Sequence, residues 1–401
     1  MENVKKIRTD NSVLLIPLGG VINTDNASAV AQAIAEQQAA ARGYTALIFD
    51  AKELTYISSA GLRIIMQVIK EEKLRKHAPV SMIEVSKDVY DILDMTGFTA
   101  FVDVQKALRE ISVEGCPVIG AGFFGKVYRL NPETVVKVYA NEESIPVIKR
   151  EQARAKKAFI KGIPTAISYD IVRVGDTYGS VFELLHAKSF NDWVIEYEDC
   201  PEKLDELTRL YVSCLKQVHD TELDMGDLPF ARDEMLEKLD ALQAYLPQDV
   251  QLRLRDLLAS LPDDLHAVHG DFQMKNVMLC NGEPMLIDME TLCIGQPIFD
   301  LQGIYVAYKA FPEDEPDNAT KFLGIRPETA DYIWRRLLEI YFGTEADLCE
   351  IEEKIKALAY IRFLQLLITT DLQNSELGKL RIKHAQEHLQ ELSASITSLA
   401  I

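Results

Sequence analysis

Hydrophobic and polar positions along the first 110 residues alternate between strand-like and helix-like periods. Short apolar runs of strand length occur at 13–16, 46–49 and 80–83. Residues 27–41 and 62–69 instead place their apolar side chains at the i, i+3, i+4, i+7 spacing of an amphipathic helix. Strands that alternate with helices predict a small α/β domain, which we place at residues 1–112.

The pattern changes after residue 112. Residues 113–117 contain Gly and Pro, which are common at domain joints, and we expect a linker there. Strand-like segments then give way to a mostly helical pattern from about residue 189. We expect a second domain over 118–401, with an N-lobe at about 118–184 and a helical C-lobe at about 185–401. Its last part, 350–401, is predicted to form two amphipathic helices.

Charge is distributed unevenly between these two regions. The chain carries 43 Lys/Arg and 62 Asp/Glu, a net charge of −19. Residues 1–112 hold 13 basic and 14 acidic residues, so almost all of the surplus lies beyond them. Such a chain is poorly suited to nucleic acid or to an anionic membrane surface, and we expect neither as a partner. The acidic surplus indicates either solubility or a pocket for a cationic ligand.

Cysteine spacing and the length of apolar runs indicate the compartment. The six cysteines form no CxxC pair, which disfavours a zinc site or a disulfide framework. No apolar run approaches the roughly 18 residues of a membrane helix. We therefore expect a cytoplasmic protein.

A serine pair lies at the predicted start of the second helix, in the sequence Tyr56-Ile57-Ser58-Ser59-Ala60-Gly61. Serine is a preferred N-cap residue, and a plain helix cap is one interpretation. A helix N-terminus also stabilises anions, so that a phosphoserine here would be favoured and would add roughly −2 charge.

Residues of about 8–110 resemble a STAS domain, the fold of bacterial anti-sigma factor antagonists. The resemblance rests on three ordered blocks: Gly19-Gly20, Ile57-Ser58-Ser59-Ala60-Gly61-Leu62 and Leu93-Asp94-Met95-Thr96-Gly97-Phe98. It implies that Ser59 is a phosphoacceptor and that the domain docks a protein partner or senses a ligand. Ser58 stands where many relatives have Asp.

A glycine-rich segment, Gly120-Ala121-Gly122-Phe123-Phe124-Gly125-Lys126-Val127, has the form GxGxxGxV. Glycines allow backbone N–H groups to approach phosphate oxygens closely. Strand-like residues follow it, as in a kinase loop, whereas a dinucleotide fingerprint should open a helix. We therefore predict that Gly120, Gly122, Gly125 and Val127 bind nucleotide, with an ordinary Gly-rich turn as the alternative.

Lys137 is flanked by valines in the next strand-like segment. Burial of its ammonium is costly unless it is paired. In nucleotide kinases such a lysine contacts the phosphates and a glutamate of the following helix. Glu151 is the best candidate and Glu143 a weaker one, while a lysine on an exposed edge strand is the alternative.

The strongest pattern combines His269-Gly270-Asp271 with Asn276 and the later run Ile287-Asp288-Met289-Glu290. A substrate hydroxyl needs a carboxylate that receives its proton, which we assign to Asp271. Magnesium needs hard oxygen ligands, which Asn276 and Asp288 can supply. Glu290 is a further, less certain ligand.

This ordered set resembles the aminoglycoside phosphotransferase and choline kinase superfamily, and the resemblance covers about 115–390. The block 295–301 also matches, while Gly270 replaces the arginine of typical protein kinases. The resemblance implies an α+β bilobal protein-kinase-like fold, ATP or GTP as phosphate donor, Mg²⁺ as cofactor and an aminoglycoside-, choline- or sugar-like acceptor. It also implies an adenine-binding hinge that uses backbone groups of Phe182 and Leu184.

The sequence therefore predicts a Mg²⁺-dependent phosphotransferase with a regulatory STAS module. Lys137, Asp271 and Asn276 form its predicted catalytic set. Two alternatives stay open: a nucleotide-sensing regulatory protein whose STAS domain binds a partner, and a protein serine kinase in a sigma-factor-type pathway.

Overall fold

The chain forms two compact units, Met1–Ile111 and Ser112–Ile401, each with a hydrophobic core of its own. The structure, a computed structural model, describes residues 9–10, 13–41, 43–75, 78–122, 125–140, 144–224, 226 and 228–401.

The first unit is a sheet whose parallel strands are connected by helices. Its elements are β1 (Thr9–Asp10), β2 (Val13–Ile22), α1 (Ala27–Ala40), β3 (Ala46–Ile57), α2 (Ser59–Arg75), β4 (Val80–Val85), α3 (Lys87–Met95), a 3₁₀ turn (Phe98–Ala100), β5 (Asp103–Lys106) and β6 (Arg109–Glu110). The sheet order is β1-β2-β3-β4-β5, with β2 to β5 parallel and β1 antiparallel to β2. Parallel strands need crossover connections, which is why helices separate the strand signals in the sequence.

The second unit begins with an antiparallel sheet and one helix. These are β7 (Val118–Gly122), β8 (Gly125–Arg129), β9 (Thr134–Tyr139), α4 (Ser144–Ile160), β10 (Ser168–Val174) and β11 (Thr177–Glu183). The strands follow the order β7-β8-β9-β11-β10. In this register Val127 lies opposite both Gly120 and Lys137, so that the glycine-rich segment and the lysine occupy neighbouring strands.

The rest of the second unit is mostly helical. Its elements are β12 (Lys188–Ser189), α5 (Phe190–Glu196), α6 (Pro201–His219), α7 (Ala231–Asp240), α8 (Gln248–Ala259), β13 (Ala267–Val268), β14 (Val277–Cys280), β15 (Glu283–Leu286), β16 (Cys293–Ile294), α9 (Ile298–Tyr305), a π-helical turn (Val306–Ala310), α10 (Phe311–Asp314), α11 (Asn318–Leu323), α12 (Pro327–Phe342), α13 (Leu348–Thr369) and α14 (Glu376–Ser395).

A tight hairpin sets the geometry of the polar motifs. Asn281 and Gly282 both have positive φ (52° and 88°), as a two-residue type I′ turn requires. The turn pairs β14 with β15, and the N–H of Ile287 donates to the Asn276 carbonyl at 3.0 Å. Asn276 and the residue before Asp288 are thereby brought side by side.

The prediction of two amphipathic helices at the C-terminus is wrong for α13. Residues Ala357 to Ile361 of this helix are all buried. The reason is that α13 packs against α7, α9 and α14, which cover it on several sides and remove the solvent-facing stripe of a surface helix. Although α13 has 22 residues, no helix in the described part of the chain is long and apolar enough to cross a membrane.

Gly125 at the start of β8 should tolerate no side chain. A Cβ there would lie 2.0 Å from the Val138 carbonyl oxygen, whereas a Cβ on Gly120 would lie 3.6 Å from Val127. We expect Gly125→Ala to lower the free energy of unfolding by about 2 kcal/mol or more, through a clash that the backbone must relieve. Gly120→Ala, the matched control, should change it by less than about 1 kcal/mol.

Urea unfolding followed by tryptophan fluorescence measures this difference. Both tryptophans, Trp193 and Trp334, belong to the second unit, so that the signal reports on this unit alone. Equal stability of the two variants would contradict the close approach of β8 to β9.

Candidate functional site

Lys137 is the point where three elements of the second unit meet. From β9, its Nζ lies 3.1 Å from Glu151 Oε1 of α4 and 2.8 Å from Asp288 Oδ1, which follows β15. Burial alone would lower the pKa of Lys137, but Glu151 and Asp288 outweigh it and raise the pKa. The ammonium therefore stays charged. Glu143, the weaker predicted partner, lies outside the described residues.

Three carboxylates gather beside this ammonium. One oxygen from each of Glu151, Asp288 and Glu290 lies within 4.8 Å of the others. Burial raises the pKa of Glu290, Lys137 opposes this, and the charges of Glu151 and Asp288 add to the rise. Mutually repelling carboxylate oxygens are hard ligands that a divalent cation would stabilise, and these residues therefore fit Mg²⁺.

The segment that carries Asp288 and Glu290 has an unusual backbone. Asp288 has φ 63° and ψ 57°, in the left-handed region, where Asp is better tolerated than most other residues. Such strain persists where the surroundings hold it, frequently at functional sites. One support is Arg154 of α4, whose guanidinium donates to the Glu290 carbonyl. Sequence reasoning missed Arg154 because its partner is a backbone group 136 residues away.

Hydrogen bonds to both oxygens orient the Asp271 carboxylate. Oδ1 accepts from Gln273 Nε2 at 2.8 Å and from Arg362 Nη2 at 3.1 Å, and Oδ2 accepts from Asn276 Nδ2 at 3.1 Å. The Asn276 amide also donates to the Asp271 carbonyl at 2.9 Å. Asn276 and Asp271 are thus brought together as predicted, while Arg362, on α13, had no signal in the sequence.

A buried carboxylate, Asp300 of α9, holds the backbone just before Asp271. Its two oxygens accept from the N–H groups of His269 (2.8 Å) and Gly270 (2.7 Å), and His219 Nε2 lies 3.1 Å from Oδ2. Burial by itself would raise the pKa of Asp300, but the hydrogen bond and charge of His219 and the contacts with His269 lower it. Asp300 therefore carries a charge in the core, where such partners are needed.

His269 ties this loop to the strand before Asp288. Its Nε2 lies 3.2 Å from the Ile287 carbonyl and must therefore donate, while Nδ1 accepts from the Asp271 N–H at 3.3 Å. Gly270 between them has φ 82°, and a Cβ would lie 2.5 Å from the Thr291 carbonyl oxygen. This contact explains why glycine occupies the position of the protein-kinase arginine.

Two of the backbone groups that were predicted to contact adenine already have partners within the protein. The N–H of Leu184 donates to the Glu133 carbonyl at 2.7 Å, and the Phe182 carbonyl accepts from the Tyr169 hydroxyl at 3.2 Å. Backbone groups of successive residues in a strand point in opposite directions, so that those of Glu183 point away from β9. Sequence reasoning could not determine which peptide groups of residues 182–185 the sheet already uses.

Ser59 is exposed and is the first residue of α2 in the first unit. The Ser58 Oγ accepts from the Gly61 N–H at 3.4 Å, so that Ser58 rather than Ser59 acts as the helix cap. The Ser59 hydroxyl therefore stands at a helix N-terminus without serving as its cap.

Comparison with known proteins identifies both units. Residues 116–339, more than half of the chain, match the model of the phosphotransferase enzyme family. The chain belongs to this family. Residues 5–111 match the STAS domain model, as predicted. The phosphotransferase therefore combines a STAS domain with a kinase-like domain of α+β fold.

Individual relatives of the phosphotransferase are distant. BtrV of Bordetella bronchiseptica, which carries the name of an anti-sigma factor antagonist, is 29% identical over 97 residues, covering 24% of this chain and 81% of BtrV. The ADP-bound aminoglycoside phosphotransferase APH(2'')-Ib is 16% identical, with a TM-score of 0.47. The match covers 77% of this chain and 98% of that chain. A choline/ethanolamine kinase family protein from Mesorhizobium loti is 17% identical, with a TM-score of 0.42 and coverages of 70% and 92%.

Removal of the Asp300 charge should destabilise the second unit of the phosphotransferase. We expect Asp300→Asn to lower the free energy of unfolding by about 3 kcal/mol at pH 7, because it removes a buried carboxylate whose oxygens accept from two backbone N–H groups and contact His219. The pKa of Asp300 is lowered by folding, so that its contribution is complete well above the ordinary value of 3.8 and is lost as the pH falls below that value.

Urea unfolding at a series of pH values checks both statements. The difference between wild type and Asp300→Asn should shrink as the pH falls below 3.8. A difference that persists unchanged at a pH well below 3.8 would contradict the assigned charge state.

Proposed function

We propose that the protein transfers the γ-phosphate of ATP or GTP to a hydroxyl group of a small molecule, with Mg²⁺ as cofactor. The observation that carries the proposal is the bridge from Lys137 to both Glu151 and Asp288, at 3.1 and 2.8 Å. This bridge joins β9, the strand next to the glycine-rich segment, to the segment of Asp288 and Glu290 that follows β15. A purely structural lysine would not need a second, half-exposed carboxylate from a distant part of the chain.

The nucleotide would lie along β7, β8 and the end of β11. Gly120, Gly122, Gly125 and Val127 would let backbone N–H groups approach the phosphates, and Lys137 would contact them while Glu151 holds it in place. Because the Leu184 N–H is engaged by Glu133, we assign the adenine contacts to the carbonyl of Glu183 and the N–H of Leu185. Backbone contacts of this kind do not select between ATP and GTP, and the assay therefore compares both nucleotides.

The metal would be held by Asp288 and Glu290, with the Asn276 amide oxygen as a further ligand. The Asn276 Nδ2 donates to Asp271, which leaves its Oδ1 as the group that can face a cation. When bound, Mg²⁺ neutralises phosphate charge.

Asp271 would act on the acceptor. Gln273, Asn276 and Arg362 orient its carboxylate, which receives the proton of the acceptor hydroxyl. The hydroxyl oxygen forms a bond to the γ-phosphorus as the bond from phosphorus to the bridging oxygen breaks, and the nucleoside diphosphate leaves. Fixed positions and charges supply most of the rate increase in such transfers.

For the STAS domain we propose a regulatory role in which it docks a protein partner, with Ser59 as a phosphoacceptor. Exposure of Ser59 at the first position of α2 supports this, since the nearby N–H groups and the helix dipole stabilise a phosphate. Mass spectrometry after incubation with Mg²⁺ and nucleotide, in wild type and in Asp271→Asn, tests whether the kinase-like domain catalyses phosphate transfer to Ser59.

Asp271→Asn should abolish transfer but leave nucleotide affinity unchanged. The amide keeps the size of the side chain and cannot accept the proton, so that turnover should fall by about 10²-fold or more. Transfer is measured with γ-labelled nucleotide and a panel of hydroxyl compounds, and affinity by calorimetry. The exposed Asp249→Asn on α8 is the matched control and should behave as wild type. Near-normal turnover in Asp271→Asn would remove Asp271 from the mechanism.

Asp288→Ala should eliminate the enhancement of nucleotide binding by Mg²⁺. The variant removes one of the three clustered carboxylates while Glu151 still pairs with Lys137. Calorimetric titration of nucleotide with Mg²⁺ and with EDTA measures the effect, again with Asp249→Asn as control. An unchanged enhancement would assign the metal to other residues.

A further inference from the structure

Tyr139, near the end of β9, contributes a hydroxyl group to the network around Lys137. Its side chain is buried, and the hydroxyl donates to Glu151 Oε2 at 2.5 Å. Side chains two residues apart in a strand point to the same face of the sheet, which is why Tyr139 and Lys137 both reach Glu151 of α4. Glu151 is therefore held from β9 by two side chains.

Backbone contacts on both sides of β9 fix the position of Tyr139. Its carbonyl accepts from Thr177 Oγ1 of β11 at 2.6 Å, and the residue pairs with Gly125 of β8. The approach to β8 is close, since a Cβ on Gly125 would lie 3.2 Å from the Tyr139 Cα. The hydroxyl is therefore a donor whose position the sheet determines in advance.

Glu151 depends on these donors because it is only 4% exposed. A buried carboxylate is costly unless its oxygens accept hydrogen bonds. Oε1 accepts from Lys137 Nζ at 3.1 Å, and Oε2 accepts from the same ammonium at 3.2 Å and from Tyr139. Oε2 thus has a second donor besides Lys137.

The ammonium of Lys137 has no N–H group to spare. It has three N–H donors, and its contacts with Glu151 Oε1, Glu151 Oε2 and Asp288 Oδ1 account for all of them. A kinase lysine that contacts two phosphates while keeping its glutamate needs two of the three donors for the nucleotide. Lys137 would then release Asp288 and one oxygen of Glu151. Oε2 is the oxygen that can be released, because Tyr139 continues to donate to it.

We propose that Tyr139 is a positioning residue for nucleotide binding: its hydroxyl keeps Glu151 in place and hydrogen-bonded when Lys137 turns from Oε2 to the phosphates. The proposal rests on the phosphotransferase function given above and adds a residue to its nucleotide site. A buried oxygen left without a donor is costly. Without the hydroxyl, the turn of Lys137 is disfavoured and the nucleotide binds less tightly.

Tyr139→Phe tests this role, since it keeps the ring and removes only the hydroxyl. We expect the Kd of a non-hydrolysable ATP analogue to rise about tenfold or more. The rise should be similar with Mg²⁺ and with EDTA, because the hydroxyl acts through Lys137 and not through the metal. Calorimetric titration of the full chain measures both values. A rise that requires Mg²⁺ would overturn the proposed route through Lys137.

Tyr360→Phe is the matched control for a purely structural effect. Tyr360 of α13 is also buried, and its hydroxyl also donates to a glutamate, Glu313. This variant should lower the midpoint of urea unfolding but leave the affinity for the ATP analogue unchanged. Wild-type nucleotide affinity in Tyr139→Phe, with or without a lower midpoint, would make its hydroxyl a structural group and overturn the proposal.

A double variant tests whether Tyr139 acts through Glu151. In the background of Glu151→Ala, Tyr139→Phe should cause no further loss of nucleotide affinity, because the hydroxyl then has no carboxylate to hold. An additional loss as large as that in the wild-type background would overturn the proposal. A wild-type protein that binds no nucleotide would refute the phosphotransferase function together with this role. Nucleotide binding that does not depend on the Tyr139 hydroxyl would refute the role alone.

Discussion

Asp300 is the buried charge on which the geometry of the candidate active site depends. Its carboxylate lies in the core of the second unit and accepts from two consecutive backbone N–H groups, those of His269 and Gly270. A core carboxylate cannot be left without such partners, and the loop can satisfy it only in one conformation. That conformation places Asp271 at the surface of the core. His269 also hydrogen-bonds to the carbonyl of Ile287, the residue before Asp288, and so links the positions of the two aspartates.

Positive and negative charges around this loop are separated into two regions. Glu151, Asp288 and Glu290 concentrate negative charge beside a single ammonium, which suits a divalent cation and the phosphates that it accompanies. At Asp271, by contrast, Arg362 contributes positive charge within a unit whose net charge is strongly negative. Overall composition therefore does not describe the local field that an acceptor meets, because distances of a few ångströms outweigh the average.

Backbone conformation limits which residues can occupy the site. Gly270, with φ 82°, lies against the Thr291 carbonyl, and Gly125 lies against the Val138 carbonyl. Asp288 adopts a left-handed conformation without being glycine, and its carboxylate pairs with Lys137 where the chain turns. Two of these positions belong to the motifs by which the family can be identified, so that the motifs reflect steric requirements as well as chemistry.

The sequence by itself predicted the two domains and their families, and it singled out Lys137, Glu151, Asp271, Asn276 and Asp288, most of which belong to short local patterns. Hydrophobic periodicity reports which side of an element is apolar but not how many neighbours cover it, which is why α13 was taken for an amphipathic helix. Arg154, Arg362 and Asp300 gained their interpretation only from the tertiary structure, since their partners lie far away in the chain. The hinge contacts likewise depended on the β9–β11 register, because pairing between strands decides which peptide groups are already used.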